Sequence, residues 1–168
     1  PLLVGGEHER GLRASTPSPA LIAATARAVA LAIRDTEQRS AAMLASRAEF
    51  LTTLHNSRCA IHCLTPSATI DKACSAGVAL PNTALVAFAG IDGRNLVPAL
   101  DIAGIEASAG SACSSGSPQP PPVLEAMGLT ETEARSVVRF SLSHRTSVDD
   151  AVDAAKRVAS VISLLRSR

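Results

Sequence analysis

One run governs what this chain can fold into. From Ala20 to about His55, apolar residues at 21, 22, 29, 31, 33, 43, 44, 50, 51 and 54 recur with a roughly helical period. Ser18 is suited to cap the helix and Pro19 to occupy its first position, where a missing N–H costs nothing. An element of this length must dominate the architecture, as one helix or as a pair divided near Asp35-Thr36. Its most apolar part, Ala20 to Ile33, contains Arg27 and is too short to cross a bilayer.

The rest of the chain comes in shorter pieces. Residues 5–17 are polar and Gly-rich and read as a loop. Strands are expected at 58–64, 83–89, 104–109 and 137–142, and helices at 94–103 (with Pro98 inside) and 123–127, the latter closed by Gly128. Capping-box patterns at Thr130–Glu133 and Ser147–Asp150 open one further turn and a last amphipathic helix to about Leu165. Short strands alternating with helices define an α/β (α+β) two-layer sandwich. Three parts follow: a loop at 1–17, a connecting helix or helix pair at 18–57, and an α/β domain at 58–168.

Hydrophobic residues make up 46% of the sequence, so a core is expected, yet aromatics are only 2% and Trp and Tyr are absent. That core must be Ala, Leu, Val and Ile. A net charge of +1 and three scattered Phe give no case for nucleic acid or an anionic membrane. Cysteines stand at 59, 63, 74 and 113 without a CxxC, and nothing resembles a secretory signal, so neither a disulfide framework nor export is expected. On a strand His62 would point away from Cys59 and Cys63, which fits a zinc site poorly, so no metal is assigned. The chain starts at Pro1 without an initiator Met, which suggests part of a longer polypeptide or a processed product.

Cys113 stands apart. Nine of the ten residues in SAGSACSSGS, 108–117, are Ser, Ala or Gly. A structural thiol has apolar neighbours, whereas a reactive one needs access. PQPPP at 118–122 stiffens the exit.

Four segments in order, GGEHERGLRAST at 5–16, LPNTALVAFAGIDG at 80–93, SAGSACSSG at 108–116 with MGL at 127–129, and ARSVVRFSL at 134–142, resemble the C-terminal part of the NifS/IscS-type cysteine desulfurases. These are fold-type-I, class V aminotransferase-like pyridoxal-phosphate enzymes. The resemblance implies the small C-terminal domain of such an enzyme, preceded by a long helix and a remnant of the large cofactor domain. It also implies a reaction: the cofactor binds free L-cysteine, a loop cysteine takes its sulfur, L-alanine leaves, and the persulfide passes to an acceptor such as an iron–sulfur scaffold protein. Cys113 holds the nucleophile's place, on a mobile loop at 108–118, and could share a cluster with the scaffold. Arg139 matches the arginine for the substrate carboxylate; from its residues alone a pair with a structural carboxylate is the favoured reading, and alternation in VRFS at 138–141 puts Arg139 and Ser141 on one strand face, away from Val138 and Phe140. Thr16 matches the threonine that contacts the cofactor phosphate across a homodimer interface, or is a plain loop hydroxyl. Asn82 looks structural. A cytoplasmic location is expected.

The lysine that would hold the cofactor lies upstream in the family, in a Ser-x-His-Lys context. This chain has only Lys72 and Lys156, so by itself it is expected to be inactive. Glu7, Ser15 and Ser143 stand where the family has Gly, and Pro98 interrupts a helix. Ser15 matters if its φ is positive. These departures admit a second reading, an inactive truncated or diverged paralogue acting at most as a binding module. A third is a related enzyme such as a selenocysteine lyase.

Overall fold

The computed structural model describes residues 3–6, 8–65, 79–109 and 121–167. The chain divides into two compact units, Pro1–Gln38 and Arg39–Arg168. In the first, a turn at His8–Gly11, with Glu9 and Arg10 left-handed at φ 53° and 57°, precedes the start of helix α1. Helix α1 spans Pro19–Asn56 without a break at Asp35-Thr36. Arg34 binds the Asp35 carboxylate at 2.7 Å, and the Thr36 hydroxyl donates to Ala32 O at 2.6 Å. The two residues best able to compete for backbone groups are thus engaged within the helix. Leu21 N–H reaches Ser18 Oγ at 3.5 Å, as the expected cap requires.

In the second unit the elements run α1, β1 (Ile61–Cys63), β2 (Thr83–Phe88), α2 (Gly93–Ile102), β3 (Ser108–Ala109), α3 (Pro122–Ala126), α4 (Glu131–Arg135), β4 (Val137–Ser141) and α5 (Val148–Arg166). Among the described residues four strands form one antiparallel sheet in the order β1-β2-β4-β3. The mixed helix–sheet class expected from the sequence is the one observed.

Strand alternation sorts the sheet into two faces. Ala84, Val86, Phe88, Val138 and Phe140 point to one side. There they meet Phe50, Leu51 and Leu54 of α1, Leu96 and Leu100 of α2, and Ala151, Ala155, Val158 and Ile162 of α5. Phe140 is the hub, with ring centroids 5.0 Å from Phe50 and 6.3 Å from Phe88. Alanines on α5 let that helix approach closely, which a core poor in aromatics needs. Both expected capping boxes form, at Thr130/Glu133 and Ser147/Asp150. Hydrogen bonds from the Thr130 and Ser147 hydroxyls and N–H groups hold the Glu133 and Asp150 carboxyls below their ordinary range.

On the opposite face, α3 and α4 bring Leu124 and Ala134 onto Ala87 and Val137, with Leu64, Leu85 and Leu129 alongside. This cover stops short of Arg139 and Ser141, which are exposed. Pro98 is accommodated within α2, and Gly93 is required at its start, where a Cβ would come within 3.1 Å of Arg135 O and Val137 O. Ser143 has no positive φ; its hydroxyl accepts from Arg145 N at 2.9 Å.

Arg58 closes α1 at φ 56°, a left-handed position that favours Gly. Arg58→Gly should therefore stabilise the fold by about 0.5–1 kcal/mol. An unchanged or lower denaturation midpoint in urea would count against this. Along the first half of α1, Leu21, Ile22, Val29 and Ile33 are exposed. Exposed apolar stripes drive association. At micromolar concentration the chain should sediment above monomer mass, and Ile22→Glu with Ile33→Glu should move it toward monomer. A monodisperse wild-type monomer by light scattering would refute the expectation.

Candidate functional site on the open face of the sheet

Arg139 sits in the middle of β4, between Val138 and Phe140, which are buried on the other side. It faces Leu85 on β2 and Ser108 on β3. The two neighbours are not equivalent. Leu85 O accepts from Leu64 N at 2.8 Å, and Leu85 N donates to Thr65 Oγ1 at 2.6 Å, so both backbone groups point away from β4. Leu85 and Arg139 are therefore a non-hydrogen-bonded pair, the closer kind, with Cα atoms about 4.5 Å apart. By the same alternation the Arg139 backbone turns toward Ser108. Strand β3 is thus hung on the residue that carries the guanidinium.

The sequence runs on from Ala109 into the small-residue segment. Cys113 lies outside the described residues, as do Lys72 and Cys74. The described ends of that segment are Ala109, opposite Val138, and Pro121, which precedes α3. Arg139 therefore shares its strand pairing with the base of the segment that bears Cys113.

Thr16 is an exposed residue of the first unit, two residues beyond buried Ala14. Ser15 beside it has φ 84°, so the substitution from Gly does fall at a left-handed position, and Arg13 Nη1 donates to its carbonyl at 3.3 Å. Asn82 plays a structural part: its carbonyl accepts from Leu142 N at 2.8 Å and its Oδ1 from Thr83 Oγ1 at 3.3 Å.

Of the two described cysteines, Cys63 lies on β1 and Cys59 just before it. Ile61 and Cys63 turn to the core side and His62 outward. Cys63 Sγ donates to Thr65 O at 3.3 Å. Burial pushes the Cys59 thiol up, and the guanidinium of Arg166 opposes that only in part. Among the described residues no group of three or more His, Cys, Asp or Glu is placed to hold a metal, and no helix is long and apolar enough to cross a membrane.

Pyridoxal phosphate needs a lysine in an enclosed site. Lys156 is solvent-exposed on α5, so the described residues do not build such a site by themselves. A cleft of about 460 Å³ lies between the turn after β2 and α4, lined by Gly90, Ile91, Asp92, Thr132, Arg135 and Ser136. Its Asp92 carboxyl is held below the ordinary range by the hydrogen bond from Arg94. Arg139 is not part of it.

Sequence reasoning missed three buried polar residues of this region, Ser46, Arg47 and Thr65. Arg47 had left a signal: it stands on the apolar stripe of α1, three residues after Leu44 and three before Phe50.

The architecture matches part of solved NifS-like proteins. A solved NifS-like protein superposes with a TM-score of 0.75 at 27% identity, covering 98% of this chain and 39% of the other. Another, from Rickettsia africae, gives 0.69 at 26%, covering 95% and 40%. No family model matches. In sequence the chain is a relative of the NifS/IscS cysteine desulfurases. It is 35% identical over 167 residues to the cysteine desulfurase NifS of Azotobacter vinelandii, covering 99% of this chain and 39% of that protein. It is 37% identical over 162 residues to an IscS-like cysteine desulfurase of Mycobacterium tuberculosis, covering 94% and 38%. The chain thus spans somewhat over a third of the length of these relatives.

The raised thiol of Cys59 predicts slow chemistry. In peptide-resolved iodoacetamide labelling at pH 8, Cys59 should lag a model thiol, and Arg166→Gln should slow it further. Labelling of Cys59 at the model rate would contradict the burial argument.

Proposed function

We infer that this chain supplies the thiol and the carboxylate anchor of a pyridoxal-phosphate-dependent cysteine desulfurase. The observation that carries this is the pairing of Arg139 with Ser108: a solvent-open guanidinium stands beside the base of the segment that bears Cys113. Arg139 holds the carboxylate of L-cysteine in its planar fork. The substrate sulfur passes to Cys113, and the products are L-alanine and a protein persulfide. Small residues around Cys113 suit a thiol that must first reach the substrate and then an acceptor.

The cofactor, when bound, withdraws electrons from the substrate. Its lysine and ring-binding residues would come from outside this chain, with Thr16 contributing to the phosphate. The persulfide goes to a sulfur acceptor such as an iron–sulfur scaffold protein, and the complete enzyme is a homodimer.

The test joins this chain to the cofactor-binding portion, adds L-cysteine, and measures alanine together with persulfide labelling. Cys113→Ser should abolish persulfide formation and turnover. Arg139→Lys should raise KM for L-cysteine about 10- to 100-fold, the loss of a charge-assisted bond worth about 1.5–3 kcal/mol. Full turnover by Cys113→Ser removes the thiol from the mechanism.

One observation favours the diverged paralogue instead. Ser15 occupies a left-handed position beside Thr16, at a cost Gly would avoid. That reading predicts no alanine from the joined protein, even with Ser15→Gly.

A further inference from the structure

Among the described residues of the sheet domain, the buried polar side chains are Ser46, Arg47, Thr65 and Ser136. Three of the four act on β2 or on the turn after β4, the strand that carries Arg139. Ser46 Oγ donates to Thr146 O at 2.7 Å, in the turn that follows β4. Arg47 Nη1 donates to Leu80 O at 2.5 Å and to Thr83 O at 3.4 Å, gripping both ends of the turn that leads into β2. Thr65 Oγ1 accepts from Leu85 N at 2.6 Å.

Strand β1 ends at Cys63, so the Leu85 N–H lies one rung beyond its last ladder position. Thr65 supplies that rung with a side chain. Leu85 is the close partner of Arg139, so a shift of β2 at this point is felt first by the guanidinium stem. Arg47 acts on the same strand two residues earlier, at the Thr83 carbonyl. The partners of this guanidinium are carbonyls. Burial makes it less basic than usual, so its charge is held at a cost. A leucine on this stripe would satisfy the core but could not tie Leu80 to Thr83. Arg47 Nη1, with two N–H groups of its own, can.

We propose that Thr65 and Arg47 are positioning residues for Arg139, fixing the height and tilt of β2 against β4 so that the guanidinium meets the substrate carboxylate. This rests on the reading of Arg139 as the carboxylate anchor. Both act through Leu85 and Thr83 and touch no substrate.

The experiment uses the joined enzyme and L-cysteine. Thr65→Val keeps the shape and removes the acceptor. KM should rise roughly tenfold with kcat within about twofold, because a displaced anchor weakens binding before it alters chemistry. Thr65→Ser should restore the native KM. Arg47→Leu, which fills the apolar stripe and donates to neither carbonyl, should give the same split and stands in if Thr65→Val does not fold. In an Arg139→Lys background Thr65→Val should add nothing to KM. An equal rise in both backgrounds, or a loss of kcat at unchanged KM, overturns the proposal and leaves Thr65 a structural residue. If Arg139→Lys itself leaves KM unchanged, the anchor reading fails at its own step, and this proposal with it. Leu85 amide exchange in the isolated chain gives a readout without turnover: it should quicken in Thr65→Val and not in Thr65→Ser, and equal rates would refute the bond's role.

Discussion

The pairing of β2 with β4 is the interaction on which the remainder depends. These two strands lie at the centre of the sheet and contribute both faces at once. Inward, Val86, Phe88, Val138 and Phe140 are what α1, α2 and α5 close over. Outward, the same register sets Leu85 against Arg139 and Thr83 against Ser141. A slip of one residue would send Arg139 into the apolar layer and Phe140 into solvent. Core packing and guanidinium placement are therefore one constraint. The aliphatic core enforces the register, and the open face inherits its geometry.

Much of this was legible in the sequence because it is local. Ser18-Pro19, the two capping boxes and the alternation in VVRFS each carry their own physical rule, and each element forms where that rule puts it. The alternation in particular anticipated that Arg139 and Ser141 would share a face opposite Phe140. The two largest boundary shifts each follow a left-handed residue. Gly104, at φ 75°, ends α2 with Ile105 N donating to Leu100 O at 2.9 Å and Gly104 N to Asp101 O at 2.9 Å. This closing motif occupies the first part of the stretch expected to be β3, leaving Ser108–Ala109 as the strand. Arg58 does the same at the end of α1, so β1 begins at Ile61 and not at 58.

What was hidden is long-range. Nothing local announces that Thr65 bonds Leu85 or that Ser46 reaches Thr146, since these pairs form only when the sheet is closed by a helix far away in sequence. Arg47 was half visible: a charge on an apolar stripe marks an unmet need in the core, but not which carbonyls it serves. Cys113 shows the opposite limit. Its setting is read from composition and resemblance, while its place lies outside the described residues.

The division between aliphatic and polar roles follows from the composition. Without Trp or Tyr, the core has few side chains that both fill volume and aim a hydrogen bond. Orientation must then come from small buried polar groups, and Thr65, Ser46 and Arg47 supply it at the edges of the central strand pair. Such groups are costly if their partners are lost, because a buried N–H or carbonyl left unpaired forfeits more than the bond contributed. Each therefore resists displacement more strongly than a leucine in a Leu/Val/Ala layer, which can repack. A guanidinium on a strand held in this way meets its ligand at a fixed place. The sequence neighbours of Cys113 are Ser, Ala and Gly, which offer a thiol little to pack against. The proposed sulfur transfer needs that combination: a substrate held still and a nucleophile that can move.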